Sequence, residues 1–464
     1  MKIPRLRFLA SSTLAGAALV ALTLPDALAV PSYARQTGMA CSTCHTVFPE
    51  LTPFGREFKL NGYVLDNMKQ IKGITVERTE TMSLNQIPPL SLMAQISYNH
   101  MSKALPDGAT LTAPPTLPPG TVGLAGDANF PQQVSFFYAG KIADGLGSFV
   151  QLTYDGVGDH FGLDNTDIRY AHHFSFESLP EKDLIAGLTL NNNPTVQDPW
   201  NSTPAWGFPY SGSAVAATPS AGTQIDGALA GNVGGLTAYL WYDHAIYAEA
   251  GIYTGSKAGG VHPFDSSQTP FVHGAAPYWR LAYEYRWDRH SLSVGTYGIR
   301  ASIVPAGPAT GETDKFTDYA LDSQYQYIDD DHQLSVLATY IHERQSLDAS
   351  SKTGANSSDT LSTAKLAANY YYRRKIGGAL GFFNTNGSTD AALYSPNPVT
   401  GSANGSPNSR GYVFEVDYLP FLNVKLSLQY VAYSKFNGGS GNYDGSGRDA
   451  SDNNTLYVLG WFNF

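Results

Sequence analysis

From about Pro88 to the C-terminus, apolar and polar residues alternate with a period of two, and this pattern limits the possible fold more than any other feature of the chain. The segment 411–418 shows it clearly. Its apolar row consists of Tyr412, Phe414, Val416 and Tyr418. Its opposite row carries Glu415 and Asp417. Charge on one face only is typical of a transmembrane β-barrel, whose apolar face meets lipid and whose polar face meets the lumen.

A soluble β-sandwich would also alternate, but its exposed face would carry more charge than these tyrosine-rich rows. Only 15% of the 464 residues are charged, and the chain contains 29 Tyr and 46 Gly. The formal net charge of −10 argues against nucleic acid as a partner. Composition and alternation together favour an all-β transmembrane barrel.

The predicted connections alternate in length, as in outer-membrane barrels. Short turns are predicted at Asp144–Gly145, Trp287–Arg289, Asp329–His332, Arg374–Ile376 and Leu419–Leu422. Long segments rich in Gly, Ser, Asn and Pro are predicted at about 101–130, 191–222, 255–276, 345–360, 387–409 and 434–453. We count about 16 antiparallel strands by treating 236–254 as one long strand; a break at Asp243-His244 would give 17. An even count places both ends of the barrel on the same side.

Both termini of the chain favour export to the bacterial outer membrane. Residues 1–29 have a basic start, an apolar run from Phe8 to about Leu24 and a small-residue exit at Ala27-Leu28-Ala29, which predicts a signal peptide rather than a retained helix. The final strand ends on Phe464 and resembles the terminal aromatic strand read by outer-membrane assembly machinery. We therefore divide the chain into a signal peptide at 1–29, a small domain at 30–87 and a barrel at 88–464.

The two cysteines of the chain lie together in the sequence Cys41-Ser42-Thr43-Cys44-His45. This C-x-x-C-H spacing is the attachment signature of c-type haem, in which each thiol adds to one vinyl group and the histidine binds the iron from the proximal side. A thioredoxin-like pair would need a βαβ context, a zinc site would need further ligands, and a disulfide would not need His45. The sequence therefore predicts one covalently attached haem c, with Cys41 and Cys44 as attachment points and His45 as the proximal ligand.

The residues that follow predict a short helix beside this cofactor. Thr52-Pro53 resembles a helix N-cap followed by Pro at the first helical position, and Gly62 is a natural stop. Leu51, Phe54 and Phe58 would form one apolar face against the porphyrin. Three basic residues could pair with the haem propionates or could simply be solvated: Arg35, Arg56 and Lys59.

The sixth iron ligand is left open by the sequence. Met68 and Met82 follow the motif at suitable distances, and His100 opens the next region. Met39 lies very close to the attachment loop and is not preferred. A methionine ligand would raise the reduction potential relative to a histidine.

One stretch resembles a known family. Residues 34–45 (ARQTGMACSTCH), Phe48-Pro49, Phe54-Gly55-Arg56, Phe58-Lys59 and Gly62-Tyr63 resemble the fused outer-membrane cytochrome–porins of iron-oxidising bacteria. The motif resemblance covers roughly 30 residues, and the barrel resemblance is one of pattern only. The resemblance implies an outer-membrane electron conduit that takes electrons from extracellular Fe(II) and passes them to a periplasmic carrier, a cytochrome or a cupredoxin.

Several alternatives stay open at this point. The barrel could be a solute porin whose haem domain acts as a plug or sensor, or a purely structural haem protein. We expect the haem domain to fit in the lumen of a 16-strand barrel. Asp155, Asp159 and Asp164 lie near one predicted loop, but loop carboxylates are usually just solvated. The stretch Asn191–Tyr210, with Trp200 and Trp206, could fold inward, although such loops more often pack on themselves.

Overall fold

The computed structural model describes residues 31–71, 73, 75–76, 79–80, 82–106, 126–176, 179–255, 271–305 and 312–464. The predicted signal peptide lies outside these residues. Three short helices come first: α1 (Pro31–Thr37), α2 (Cys41–Cys44) and α3 (Pro53–Leu60). Four two-residue strands follow, namely β1 (Gln70–Ile71), β2 (Thr75–Val76), β3 (Thr79–Glu80) and β4 (Leu84–Asn85).

The rest of the described chain is dominated by long strands. These are β5 (Leu90–Met101), β6 (Gly126–Ala143), β7 (Leu146–Asp155), β8 (His160–Phe176), β9 (Leu179–Asn191), β10 (Val233–Tyr242), β11 (Ile246–Gly255), β13 (Ala276–Trp287), β14 (His290–Val304), β15 (Asp314–Ile328), β16 (His332–Ser346), β17 (Ser358–Tyr372), β18 (Ile376–Gly387), β19 (Ser409–Phe421), β20 (Val424–Lys435) and β21 (Thr455–Asn463). A two-residue strand, β12 (Phe271–Val272), pairs with the outer end of β14.

Each long strand pairs antiparallel with its neighbour in the chain, and β21 pairs with β5 to close a barrel. Within the described residues the wall therefore has sixteen long strands, which confirms the predicted count. Closure satisfies the backbone hydrogen bonds that an open sheet would leave unpaired at its edges. The first and last strands both begin or end on the side of the short turns, as an even count requires.

The number of strands is right, but the interpretation of 236–254 as one strand is wrong, so the division of the chain into those sixteen strands differs from the prediction. Asp243 and His244 both have positive φ, 54° and 53°, and form a tight turn between β10 and β11. With Ala245, whose N–H donates to Tyr242 O at 3.1 Å, they make a three-residue connection, and positive φ at two successive residues matches the twist of the flanking strands. The apolar residues on both sides of this turn conceal it in the sequence.

The two faces of the wall differ as the alternation predicts. On β13, Arg280 and Glu284 are buried in the lumen, whereas Leu281, Tyr283 and Tyr285 are each more than half exposed on the outside. The outer face of the other strands is likewise covered with exposed Leu, Ile, Val, Phe and Tyr. An apolar belt of this extent is typical of a surface that faces hydrocarbon. In the part of the chain that the structure describes, no helix is both long and apolar enough to cross a membrane.

The lumen is filled by two parts of the chain. The plug, residues 31–64, contains the three helices and lies at the short-turn end, where Leu60 O accepts a hydrogen bond from Tyr239 Oη at 2.6 Å. The inserted loop, residues 192–232, joins β9 to β10 and folds into the barrel farther from the short turns. The arrangement agrees with the prediction that the N-terminal helices fit in the lumen. They contact each other, as between the rings of Tyr33 and Phe58, and they also contact the wall, as between Arg56 and Glu284.

Three lumen-facing residues of β15, each four positions from the next, show where the plug and the inserted loop lie along the barrel. Gln326, near the short turn, donates to Leu51 O of the plug at 3.1 Å. Asp322 accepts from Ser202 of the inserted loop at 2.6 Å, and Asp318 accepts from the backbone N–H of Ile225 at 2.8 Å. At about 3.4 Å per residue these contacts span roughly 27 Å of strand. The plug therefore occupies the end of the lumen near the short turns. The inserted loop occupies the middle of the lumen and the part toward the long loops, which we call its outer part.

Candidate cofactor-binding site

The attachment motif forms a single helical turn that is held by the helix after it. In α2, Cys41 and Cys44 are three residues apart and so lie on the same face. The N–H of His45 donates to Cys41 O at 2.9 Å, and the N–H of Thr52 donates to Cys44 O at 2.9 Å. The Thr52 side chain also caps α3 by accepting from Gly55 N, as predicted. The two helices are thus fixed to each other by backbone contacts.

Gly55 makes this close approach possible. A Cβ atom at position 55 would lie 2.2 Å from the carbonyl oxygen of Cys44, which is a backbone atom with little freedom to move. At the other end of α3, Gly62 has φ +69°, a conformation that favours glycine, so the predicted helix stop is confirmed. Both glycines lie in the stretch that carries the family resemblance.

His45 is oriented by a second hydrogen bond. Its Nδ1 lies 3.3 Å from the carbonyl oxygen of Glu50, so the ring N–H donates there and Nε2 stays available for a metal. Burial lowers the pKa of His45, which favours the neutral imidazole that binds iron. Burial also raises the pKa of the Cys44 thiol to about 11.

Glu50 in turn is bound to the barrel wall. Its carboxylate accepts from Thr46 at 2.8 Å, from Asn369 at 3.0 Å and from Tyr210 of the inserted loop at 2.7 Å. The residue that positions His45 therefore connects the plug, the wall and the inserted loop.

Cys41, Cys44 and His45 line one cavity of about 400 Å³. The plug forms one side of it, strands β5 to β8 and β21 form another, and residues 201–210 of the inserted loop cover it. Most of its large side chains are apolar or aromatic: Leu51, Phe54, Phe58, Met93, Phe137, Phe149, Trp206 and Trp461. The predicted apolar face of α3 (Leu51, Phe54 and Phe58) thus lines the same cavity as the motif.

The inserted loop folds inward, which was one of the two alternatives for 191–210, and it also packs on itself, since Thr203 donates to Asp198 and Ala205 N donates to Thr195. Trp206 Nε1 donates to Val196 O at 2.5 Å, and the Trp206 ring lies 6.0 Å from that of Phe149 on the wall. Trp200 is completely buried and donates to Glu284 of β13 at 2.7 Å. Wall partners such as Glu284 are distant in sequence, which is why local pattern could not reveal this contact.

Of the three basic residues considered for propionate pairing, only Lys59 lines the cavity. Its ammonium donates to Val196 O at 2.6 Å and to Asp198 O at 2.9 Å, and it lies 4.8 Å from the centre of the Trp206 ring. Burial lowers the pKa of Lys59 to about 7. Arg56 contacts the wall and Arg35 donates to Leu90 O.

Arg56 joins the plug to the wall at a shared carboxylate. Its guanidinium donates to Glu284 at 2.6 Å, and Glu284 also accepts from Arg286 at 2.6 Å and from Trp200 at 2.7 Å. Arg56 and Glu284 are almost fully buried. One wall residue thus binds the plug and the inserted loop together.

Neither methionine named as a possible sixth ligand lines the cavity. Met68 is buried against Phe58 and Tyr63, and its thioether accepts from Leu65 N at 3.3 Å. Met82 is 64% exposed, and His100 is exposed as well. Met39 and Met93 do line the cavity. Met93 was missed because it reads in the sequence as an ordinary strand residue.

The three carboxylates near the β7–β8 loop do not converge. Asp164 lines the cavity and accepts from Thr153 at 3.0 Å, whereas Asp159 accepts from Tyr154 at 2.6 Å and Asp155 from Val157 N at 2.9 Å. Among the described residues, no three His, Cys, Asp or Glu side chains are placed to hold a metal ion together.

The residues present fit a covalently attached porphyrin. The volume lies within the range of small-molecule and cofactor sites, and the lining is mainly apolar with a few polar groups, as in such sites. Two thiols at the required spacing and an oriented imidazole open into the same space. The chain therefore has a closed antiparallel barrel with an internal cavity suited to a flat, largely apolar cofactor.

Comparison with solved structures returns outer-membrane barrels. The outer membrane channel DcaP of Acinetobacter baumannii is 11% identical with a TM-score of 0.44, and covers 85% of this chain and 100% of its own. An anion-selective porin from Comamonas acidovorans is 12% identical with a TM-score of 0.45, and covers 81% of this chain and 98% of its own. No family model and no curated protein matches the chain. At these identities and scores the likeness adds nothing to what the barrel geometry already shows.

Proposed function

We propose that this protein is an outer-membrane electron conduit that carries one haem c inside a β-barrel. The observation that carries the proposal is that Cys41, Cys44 and His45 open together into one apolar cavity within the lumen. The apolar outer belt, the short turns on one side and the long loops on the other support placement in the outer membrane, with the plug on the periplasmic side.

The position of the cavity suits electron transfer between the two sides of a membrane. The apolar band of such barrels is about 25 Å tall, and a redox group held outside it would not connect the two faces. A group inside the lumen shortens the distance to both. The plug and the inserted loop also occupy the lumen beside the cavity, so electrons could cross without a wide open pore.

The residues of the chain have distinct tasks in this proposal. Cys41 and Cys44 would hold the haem covalently and His45 would bind its iron, while Glu50 O accepts from the ring and orients it. Trp206 and Tyr210 line the cavity, and Lys59 is the one Lys or Arg among the described residues that lines it with them. A bound haem c supplies reversible one-electron transfer, and its potential depends on the axial ligands and on burial. Met39 and Met93 are the cavity-lining candidates for a sixth ligand, and Met68 or Met82 would have to move to reach it.

We propose extracellular Fe(II) as the electron donor and a periplasmic cytochrome or cupredoxin as the acceptor. The family resemblance of residues 34–63 supports this choice, which the solved structures neither support nor oppose. Each Fe(II) oxidised to Fe(III) would release one electron, which leaves on the periplasmic side. Ferric product would then form outside the cell.

The test uses the haem-loaded protein in liposomes with an oxidised soluble c-type cytochrome trapped inside. Adding Fe(II) outside without oxygen should reduce the haem and then the trapped cytochrome, both followed by absorbance. Vesicles with the Cys41→Ser, Cys44→Ser protein should show neither change. Absence of haem reduction by Fe(II) at every pH would contradict the iron donor, whereas haem reduction without reduction of the trapped cytochrome would contradict the conduit.

A solute porin with a haem-containing plug or sensor is the second candidate. It is favoured by the sixteen-strand wall and by a long loop that folds into the lumen and narrows it. This function predicts ion conductance through the intact protein in a planar bilayer. The conduit predicts little conductance, because the plug and the inserted loop fill the lumen.

A further inference from the structure

Two carboxylates face each other in the outer part of the lumen, away from the candidate haem cavity. Asp318 of β15 lies directly opposite Glu343 of β16 in the strand register. Both side chains point into the barrel and are almost completely buried, with 1% and 0% exposure. The register therefore places the two carboxylates side by side on the lumen face of the wall. Like charges opposite each other on neighbouring strands repel, so this contact needs compensation.

The inserted loop lies directly on this pair. The N–H of Gln224 donates to Glu343 Oε2 at 2.6 Å, and the N–H of Ile225 donates to Asp318 Oδ2 at 2.8 Å. The side chain of Gln345 on the wall donates to Glu343 Oε1 at 2.6 Å. The buried oxygens Asp318 Oδ1, Gln224 Oε1 and Thr223 Oγ1 have no hydrogen-bond partner. Two of these three are oxygens that can only accept, so the place where the loop meets the pair has more acceptors than donors.

Other buried carboxylates of the lumen have a basic side chain as partner. Asp322 lies 2.8 Å from Arg280, and Glu415 lies 3.1 Å from Lys425. Among the described residues, no Lys or Arg lies within 4 Å of Asp318 or Glu343. Hydrogen bonds alone offset only part of the cost of burying two neighbouring negative charges, so a positive partner is expected here.

We propose that Asp318 and Glu343 bind a hard divalent cation at the outer part of the lumen. One oxygen from each carboxylate and the Gln224 amide oxygen would be protein ligands, and water would complete the shell. Two carboxylates with several retained waters are a usual ligand set for Mg²⁺ and related hard ions. The ion would also tie the inserted loop to the wall. This site does not depend on the proposed electron transfer.

The first experiment titrates Mn²⁺ into purified, haem-loaded protein at pH 7 and measures bound and free ion by electron paramagnetic resonance. We expect one saturable site in the wild type. The isosteric changes Asp318→Asn and Glu343→Gln should each weaken it by more than about tenfold, since even outer-shell partners contribute ten- to hundredfold to metal affinity. The matched control is Glu415→Gln, which alters a lumen carboxylate that already has a lysine and should leave the affinity unchanged.

Folding of each variant is checked by haem absorbance and by the thermal unfolding temperature, which Mn²⁺ should raise in the wild type and in Glu415→Gln only. The milder Gln224→Ala change gives a second measurement if either carboxylate variant folds poorly, and it should weaken Mn²⁺ binding. Absence of saturable binding in the wild type would mean that the pair shares a proton, and unchanged binding in both carboxylate variants would place the ion elsewhere. Either result would overturn the proposal.

Two further measurements distinguish a structural cation from Fe(II) bound as the electron donor. A structural Ca²⁺ or Mg²⁺ would compete with Mn²⁺ and leave the rate of haem reduction by Fe(II) unchanged in Asp318→Asn. A donor-binding site would bind Fe(II) in competition with Mn²⁺, and Asp318→Asn would slow haem reduction. Because Mn²⁺ binding is measured without redox turnover, failure of the site and failure of the electron conduit give different results.

Discussion

The plug and the inserted loop fill the same lumen but are built in different ways. The plug has three helices within 34 residues, with a Thr52 cap, a Pro at the start of α3 and a glycine stop at its end. The inserted loop has only short helical turns at Pro204–Trp206 and Gln224–Ala228. Its position depends on wall residues far along the chain, such as Asp322 and Thr339, which hold Ser202. The plug is therefore defined by its own sequence, and the loop is defined by the barrel around it.

Because of this difference, we expect substitutions in the plug to abolish or reduce haem attachment, and substitutions in the inserted loop to leave the haem attached. The largest effect is expected for the Cys41→Ser, Cys44→Ser variant, which should lose covalent haem completely because both thioether bonds are removed. Intact mass spectrometry of the mature protein measures this directly. The inserted-loop variant Trp206→Phe should keep the haem mass; its loss there would show that the loop is also needed for attachment.

The next effect is expected for the buried ion pair that holds the plug. Arg56→Ala should lower the free energy of plug opening by about 3 kcal/mol, since breaking a buried pair leaves Glu284 with Arg286 as its one remaining cationic partner. Hydrogen exchange of the plug amides, followed by mass spectrometry, measures this free energy. The loop's pair between Lys365 and Asp226 is partly exposed, and Lys365→Met should change protection of the loop by less than about 1 kcal/mol. Equal effects would contradict the contrast between plug and loop.

A smaller effect is expected for the glycine between the two helices of the site. Gly55→Ala puts a methyl group 2.2 Å from Cys44 O and should cost roughly 1–3 kcal/mol and reduce the haem content per protein. Gly212 of the inserted loop has no atom within 4 Å of the same position, so Gly212→Ala is the control and should have full haem content. The haem-to-protein absorbance ratio distinguishes the two, and full haem in Gly55→Ala would argue against the tight packing of α3 on α2.

The smallest effect concerns Lys59, whose pKa is lowered by burial to about 7 from an ordinary 10.5. Between these values the unfolded chain binds more protons than the folded one, so stability should rise as the pH increases above 7. The gain should be about 1 kcal/mol over the first pH unit. Lys59→Met should flatten this rise in thermal unfolding of the haem-free protein, while Lys365→Met should not. An unchanged slope in Lys59→Met would show that the ammonium is not the group responsible.

The wall could be predicted in detail because its pattern is local. Alternation on β13 and β19 identified both faces. Two short connections were missed: the one between β8 and β9, and the turn at Asp243-His244, where apolar residues continue on both sides. The attachment motif and the helix from Thr52 to Gly62 were also predictable, because each depends on neighbours within four residues.

The remaining parts of the site could not be predicted, because they depend on contacts between residues that are far apart in the sequence. Met93, Phe137 and Trp461 reach the cavity only because strands from both ends of the chain meet when β21 pairs with β5. The inward course of Trp200 depends on Glu284, 84 residues later in the chain. No local pattern carries these contacts, and two of the methionines chosen by distance from the motif do not line the cavity.

The enclosure of the plug has a consequence for biogenesis. Its partners include β6, β10, β13, β15, β17 and β21, so the finished wall surrounds it on all sides. Under the proposed function, the enzymes that join haem to the thiols need the exposed peptide, and they cannot reach it through a sealed cylinder. Haem attachment would therefore precede the pairing of β5 with β21 that closes the barrel. The protein inserted into the membrane would already carry its haem.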